Sequence, residues 1–172
     1  MRVIGVDLAA DEKNPTGIAE LEEDKVKTFT IRKDSEIIEF VKRFKPNVVV
    51  IDAPLTTSEK PFRPAEREMQ QLGFKLLPLN IPSMKKLSER GRHLKYIIKR
   101  FCEVIETHPN SAKKILGIKD VKELKKVRIM NIIKNEHEKD AIICAIVGVF
   151  YLENQYQEFG DAESGKIILP RV

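Results

Sequence analysis

The sequence predicts an α/β fold: a mixed five-stranded sheet of order 3-2-1-4-5, with helices on both faces and an irregular excursion after the fourth strand. Three observations predict it. Three strand-like runs follow one another at the N-terminus across short turns, the signature of an antiparallel meander. Two strand-then-helix steps come next, which extend the sheet in parallel. The run NVVVID at 47–52 is apolar almost throughout, as a strand covered on both faces must be. A chain of 172 residues can bury one sizeable core and is short for two, so residues 1–172 are expected to form a single domain.

Taken in order, Arg2 to Leu8 alternates and is rich in β-branched side chains, and Thr16 to Glu22 and Lys25 to Ile31 repeat the pattern around the charged turn EEDK. Asp34 or Ser35 can cap a helix with apolar positions Ile37, Ile38, Val41 and Phe44, which Pro46 ends. From Ala53 to Ser83 the chain is rich in proline, with room for one short helix at 64–72. Met84 to Phe101 reads as an amphipathic helix with Lys85, Lys86, Arg92, Lys95 and Lys99 on its polar face. Cys102 to Thr107 is the fifth strand, followed by helical pieces at 111–116 and 121–133 and a long helix from about Glu138 to Asn154. The closing KIILP is expected as an edge strand.

Composition narrows the function. No run approaches the roughly 18 apolar residues of a membrane span, and Met1 leads directly into a strand, so a soluble, cytoplasmic protein is expected. Cys102 and Cys144 lack any pairing or metal-binding spacing and are expected as reduced thiols. Charged residues reach 33%, dominated by Lys and Glu, and tryptophan is absent, a composition that leans towards a thermophile. The net charge of +5 is unevenly spread: between Met84 and Arg128 there are fourteen Lys and Arg against five Asp and Glu. Such a block suits a polyanionic partner, although a lysine-rich solvated face has the same composition.

Four acids fall where casual surface placement is hard to explain. Asp7 ends the first strand, Asp52 ends the fourth, Glu106 ends the fifth, and Asp140 lies at the start of the last helix on the same stripe as Ile143, Cys144 and Val147. Each has a structural reading as well: a helix-dipole partner for Asp140, an Asx turn for Asp52, a lysine pair for Glu106. Asp7 resists one, because a carboxylate at the end of an apolar strand is unfavourable without a partner. In a 3-2-1-4-5 sheet Asp7 and Asp52 emerge side by side, and a helix on that sheet can bring Asp140 to them. Converging carboxylates repel one another unless a cation neutralises them. Mg²⁺ or Mn²⁺ suits such oxygen ligands, and two ions roughly 3.5–4 Å apart could cleave a phosphodiester. His137, one turn before Asp140, is placed to orient a ligand, relay a proton or touch a phosphate.

The motifs VIGVDLA with Thr16-Gly17, the strand ending in Asp52, and His137-x-x-Asp140-Ala141 with Ala145 resemble the RNase H-like superfamily, in particular its Holliday-junction-resolvase branch. IDAPL at 51–55, Arg63, Arg67, Leu72-Gly73, Ser83-Met84 with Arg90-Gly91, and Glu106-x-His-Pro109 are similar to an uncharacterised prokaryotic family of predicted RNase H-fold nucleases. The resemblance spans nearly the whole chain. It implies metal-dependent phosphodiester cleavage, with Asp7, Asp52 and Asp140 as ligands of Mg²⁺ or Mn²⁺, Asp7 bridging two ions, and Glu106 as a further acid. His137 completes the expected catalytic set. Arg63, Arg67, Thr16 and Gly17 are the expected substrate contacts; Arg63 and Arg67 have an ion pair with Glu66 or Glu68 as their structural alternative. The partner would be DNA or RNA, with no membrane, and a homodimer is compatible. The resolvase branch usually carries Glu where this chain has Asp52. Two other readings stand beside it: a phosphate-binding or ATP-hydrolysing relative of actin and the sugar kinases, using DLAADEKNPTG, and a nucleic-acid-binding module without catalysis.

Overall fold

A computed structural model describes all 172 residues. β1 (Arg2–Asp7), β2 (Thr16–Glu22) and β3 (Lys25–Ile31) form the antiparallel meander, and β4 (Val48–Ile51) and β5 (Glu103–Glu106) add in parallel beside β1. The expected 3-2-1-4-5 order is thus present at the centre of a larger sheet of eight strands. The three extra strands are β6 (Arg128–Ile129), β7 (Tyr156–Asp161) and β8 (Gly165–Pro170), giving the order β6-β3-β2-β1-β4-β5-β8-β7.

Two sequence expectations need correction here. KIILP lies inside the sheet as β8, between β5 and β7, and the polar YQEFGD forms the edge. The segment 121–133 is a short 3₁₀ turn at Val121–Glu123 followed by β6, not a helix. Its apolar residues Leu124, Val127, Ile129 and Ile133 do pack against the core, but from an extended chain. There Asn131 imitates a strand residue: its side-chain oxygen accepts the Thr28 amide at 2.8 Å and its amide donates to the Thr28 carbonyl at 3.1 Å.

Side-chain alternation divides the core between two faces. Val3, Val48 and Val50 point to one face and meet α5 (Glu136–Leu152); α4 (Pro109–Leu116) and α2 (Pro64–Gln71) flank it on that side. Ile4, Val6, Val49 and Ile51 point to the other face, against Ile37 and Val41 of α1 (Asp34–Phe44) and Leu94 and Ile98 of α3 (Pro82–Ile98). α5 is buried almost continuously from Ala141 to Gly148, which explains why its sequence is apolar on all sides. α1 stops where Lys45 turns into the left-handed region at φ 53°, ahead of Pro46. Cys144 is buried and Cys102 half-buried, both as free thiols. No helix is long and apolar enough to cross a membrane.

Candidate carboxylate site

The parallel strands β1, β4 and β5 end at one edge of the sheet. On β1, Asp7 follows Val3 and Gly5 on the α5 side; on β4, Asp52 follows Val48 and Val50 on that same side, one residue past the strand. The Asp52 amide still donates to the Val6 carbonyl at 2.9 Å, so the ladder extends far enough to hold the two acids side by side.

α5 brings the third acid. A Cβ on Gly5 would overlap the Ala141 carbonyl oxygen, and one on Gly17, paired with Asp7 across β2, would overlap the carbonyl of His137. Only glycine at both positions lets the first turns of α5 lie directly on β1 and β2. The helix start is also tied to β3. Asn135 caps it, accepting the Glu138 amide at 3.0 Å and donating to the Thr30 hydroxyl at 2.9 Å. Glu138 is fully buried and accepts the Thr28 and Thr30 hydroxyls at 2.6 and 2.5 Å. With the helix fixed in this way, Asp140 faces the strand ends, and His137 Nδ1 lies 2.9 Å from Asp7 Oδ2.

The electrostatics are those of crowded acids. Burial pushes the Asp52 carboxyl well above the usual carboxylate range, and the charges of Asp7 and Asp140 push it further. Asp7 is also raised by burial, against the lowering effect of hydrogen bonds from His137 and Asp52. The closeness of Asp7 and Asp52 thus favours the neutral form of Asp52 over its charged one. Asp140 is raised by burial and then by Asp7, while Lys113, 3.6 Å away, opposes the shift. The three acids therefore share one small volume, with the His137 imidazole beside Asp7 and the Lys113 ammonium beside Asp140. No group of three acid, histidine or cysteine side chains stands preassembled as a metal-ligand set. The donor set itself is nonetheless hard, anionic and under-neutralised, which is what a divalent cation requires.

Several expected site residues have other work. Arg63 is 2% exposed and spends all five of its N–H donors: Nε on Glu66 Oε1 at 2.8 Å, one terminal nitrogen on Thr56 and Glu106 Oε1 at 3.0 Å each, and the other on Glu66 Oε2 at 2.5 Å and Glu106 Oε2 at 2.6 Å. It has no donor left for a phosphate. Glu106, expected as a further catalytic acid, is the other half of this network and also accepts the Leu55 amide at 3.0 Å. Glu106 pairs in register with Ile51 rather than Asp52, and although it still lines the cleft beside Asp52, its carboxylate is taken up by Arg63 and the Leu55 amide. Thr16 is fully buried, with its hydroxyl accepting the Ala9 amide at 3.0 Å, and Gly17 is covered by α5; both shape the site instead of touching a substrate. Arg67 is exposed and makes no ion pair.

Beside the acids lies a cleft of about 210 Å³ lined by Asp52, Asp140, residues of the excursion and the start of α4. Two of its neighbours were given no role by the sequence, although His108 lies within the motif Glu106-x-His-Pro109. Lys113, the ammonium beside Asp140, was only one lysine of a long basic block. His108 precedes Pro109 at the first position of α4, a helix-start signal that could have placed it at the strand edge. Burial pushes its imidazole below the usual range.

Two solved structures match this architecture. T. thermophilus RuvC in complex with a Holliday junction substrate superposes with a TM-score of 0.59 and 12% identity, over 90% of this chain and 96% of that one. The Thermus thermophilus RuvC structure gives 0.57 and 13% over the same shares. The fold is shared with RuvC. In this fold Asp7 and Asp52 stand at the ends of the first and fourth strands and Asp140 at the start of the last helix. No family model matches the chain and no curated protein does, so the similarity to the prokaryotic nuclease family rests on the sequence motifs alone.

Proposed function

We infer that this protein is a divalent-metal-dependent nuclease that hydrolyses phosphodiester bonds of nucleic acid. The observation that carries the reading is the convergence of Asp7, Asp52 and Asp140 from three separate elements into one under-neutralised cluster. The RuvC-like fold supports it, and the Holliday junction held by T. thermophilus RuvC puts branched DNA first among substrates to try.

Asp7, Asp52 and Asp140 would hold Mg²⁺ or Mn²⁺. Such ions, when bound, lower the pKa of water and neutralise charge on the phosphate. Asp7, whose charge raises both other acids, would act together with them in holding the ions. His137 fixes the orientation of Asp7 through Nδ1, as partners of ligating carboxylates do. Lys113 neutralises Asp140 in the metal-free protein, and once a cation takes over that task its ammonium is free to grip the substrate backbone with Lys114 and Lys119. Arg67, exposed on α2, remains a backbone contact.

The test is Mn²⁺-dependent cleavage of a panel of junction, flap, single-stranded and duplex DNA and RNA. Asp7→Asn should lower turnover by more than the roughly 10–100-fold typical of an outer-sphere partner while leaving binding largely intact. Tight binding without cleavage by the wild type would replace the nuclease with a non-catalytic nucleic-acid-binding module.

A further inference from the structure

We propose that the cleft beside the acids is a subsite for a single unstacked nucleobase, so that the substrate must present an unpaired nucleotide at the point of attack. This deepens the nuclease reading and rests on it. Leu76, Leu79, Met84 and Leu87 supply apolar walls from the excursion and from α3, while Asp52 and Asp140, together with Glu66 and Glu106 that Arg63 neutralises, form the acidic part of the same lining. At about 210 Å³ the cleft is smaller than the roughly 300–1,000 Å³ of a drug-sized pocket and suits one planar ring system.

The surroundings identify what the ring belongs to. Asn110 lines both this cleft and an adjoining groove that carries Lys75, Lys113, Lys114 and Lys119. An occupant must therefore combine an uncharged flat body with an anionic continuation, and it must do so next to a centre suited to a phosphodiester. A nucleotide within a strand has those properties; a free hydrocarbon ligand lacks the charge and an acidic peptide lacks the ring. Polar groups to read a base edge are present as well. The Asn110 amide is available, and His108 uses Nδ1 on the Ser111 hydroxyl at 2.7 Å while its other ring nitrogen has no partner. Apolar walls with a few polar edge groups are how proteins hold a base taken out of its stack.

The experiment compares three DNA hairpins binding to the metal-free protein: one fully paired, one with a single bulged nucleotide, and one with that bulge abasic. The bulged hairpin should bind roughly tenfold more tightly than either other, the contribution of one held base. Met84→Trp, which fills the cleft from the half-exposed face of α3, should make the three hairpins bind alike. Equal wild-type affinity for the intact and abasic bulges overturns the subsite while leaving the nuclease reading untouched, since Mn²⁺-dependent cleavage tests that separately. Failure to bind any hairpin, together with no cleavage of the panel, overturns both.

Discussion

Asp52 bears the largest electrostatic conflict in the site, with burial and three neighbouring acids, Asp7, Asp140 and Glu106, all opposing its charge. The sign of the consequence is fixed. A carboxyl whose folded pKa lies above its unfolded value of about 3.9 binds protons more readily when folded, so its contribution favours folding at low pH and is lost as pH rises. The Asp52 contribution in the metal-free wild type should therefore be lost as pH rises above about 4, and Asp52→Asn, which removes the charge, should flatten that loss and leave the protein more stable at neutral pH. Thermal melts of both proteins across this range in chelator check it; a variant less stable than wild type at pH 8 contradicts it. The residue-scale signal was legible in the sequence because a carboxylate that ends an apolar strand has few structural excuses. Glu106 met the same criterion but is held by Arg63, because the criterion finds the strand end and not the partner that already neutralises the acid.

At the scale of elements, α2 and the excursion around it owe their position to one arginine. Arg63 ties Glu66 of its own helix to Glu106 of β5, all three buried, and also reaches the half-buried Thr56. Burial opposes the guanidinium charge, and the two carboxylates more than offset it. Removing the arginine leaves two buried anions unpaired, so Arg63→Met should destabilise the protein by about 3–5 kcal/mol. Urea unfolding measures this, and a change below about 1 kcal/mol would mean that the network carries no such weight. The spacing of Arg63 and Glu66 was visible in the sequence; their partner across the sheet was not, since nothing local announces a contact between residues 43 positions apart. The elements follow the same division. The meander, α1, β4 and α5 declare themselves by periodicity, whereas β6 was hidden by apolar spacing that imitates a helix and β7 by the polarity of an edge strand.

For the whole molecule, the uneven charge is the feature that bears on function. The block from Met84 to Arg128 is only partly a binding surface, because Arg90 is buried, held by Asp34 at 2.8 Å and by the carbonyls of Ala9 and Arg32. The lysines of α4 and the turn after it remain available at the rim of the cleft. A variant with Lys113, Lys114 and Lys119 changed to Ala should bind DNA more weakly at low salt, and the slope of log affinity against log salt should become shallower by about two to three units. An unchanged slope would put the backbone path on another face. Beneath these contacts lies the claim that three acids gathered at one end of the sheet need a cation. Calorimetric titration of Mn²⁺ into the wild type and into the Asp7→Ala, Asp52→Ala, Asp140→Ala triple variant tests that claim most directly. Saturable heat with the wild type that vanishes in the folded variant is the predicted result, and identical titrations of the two proteins would contradict it.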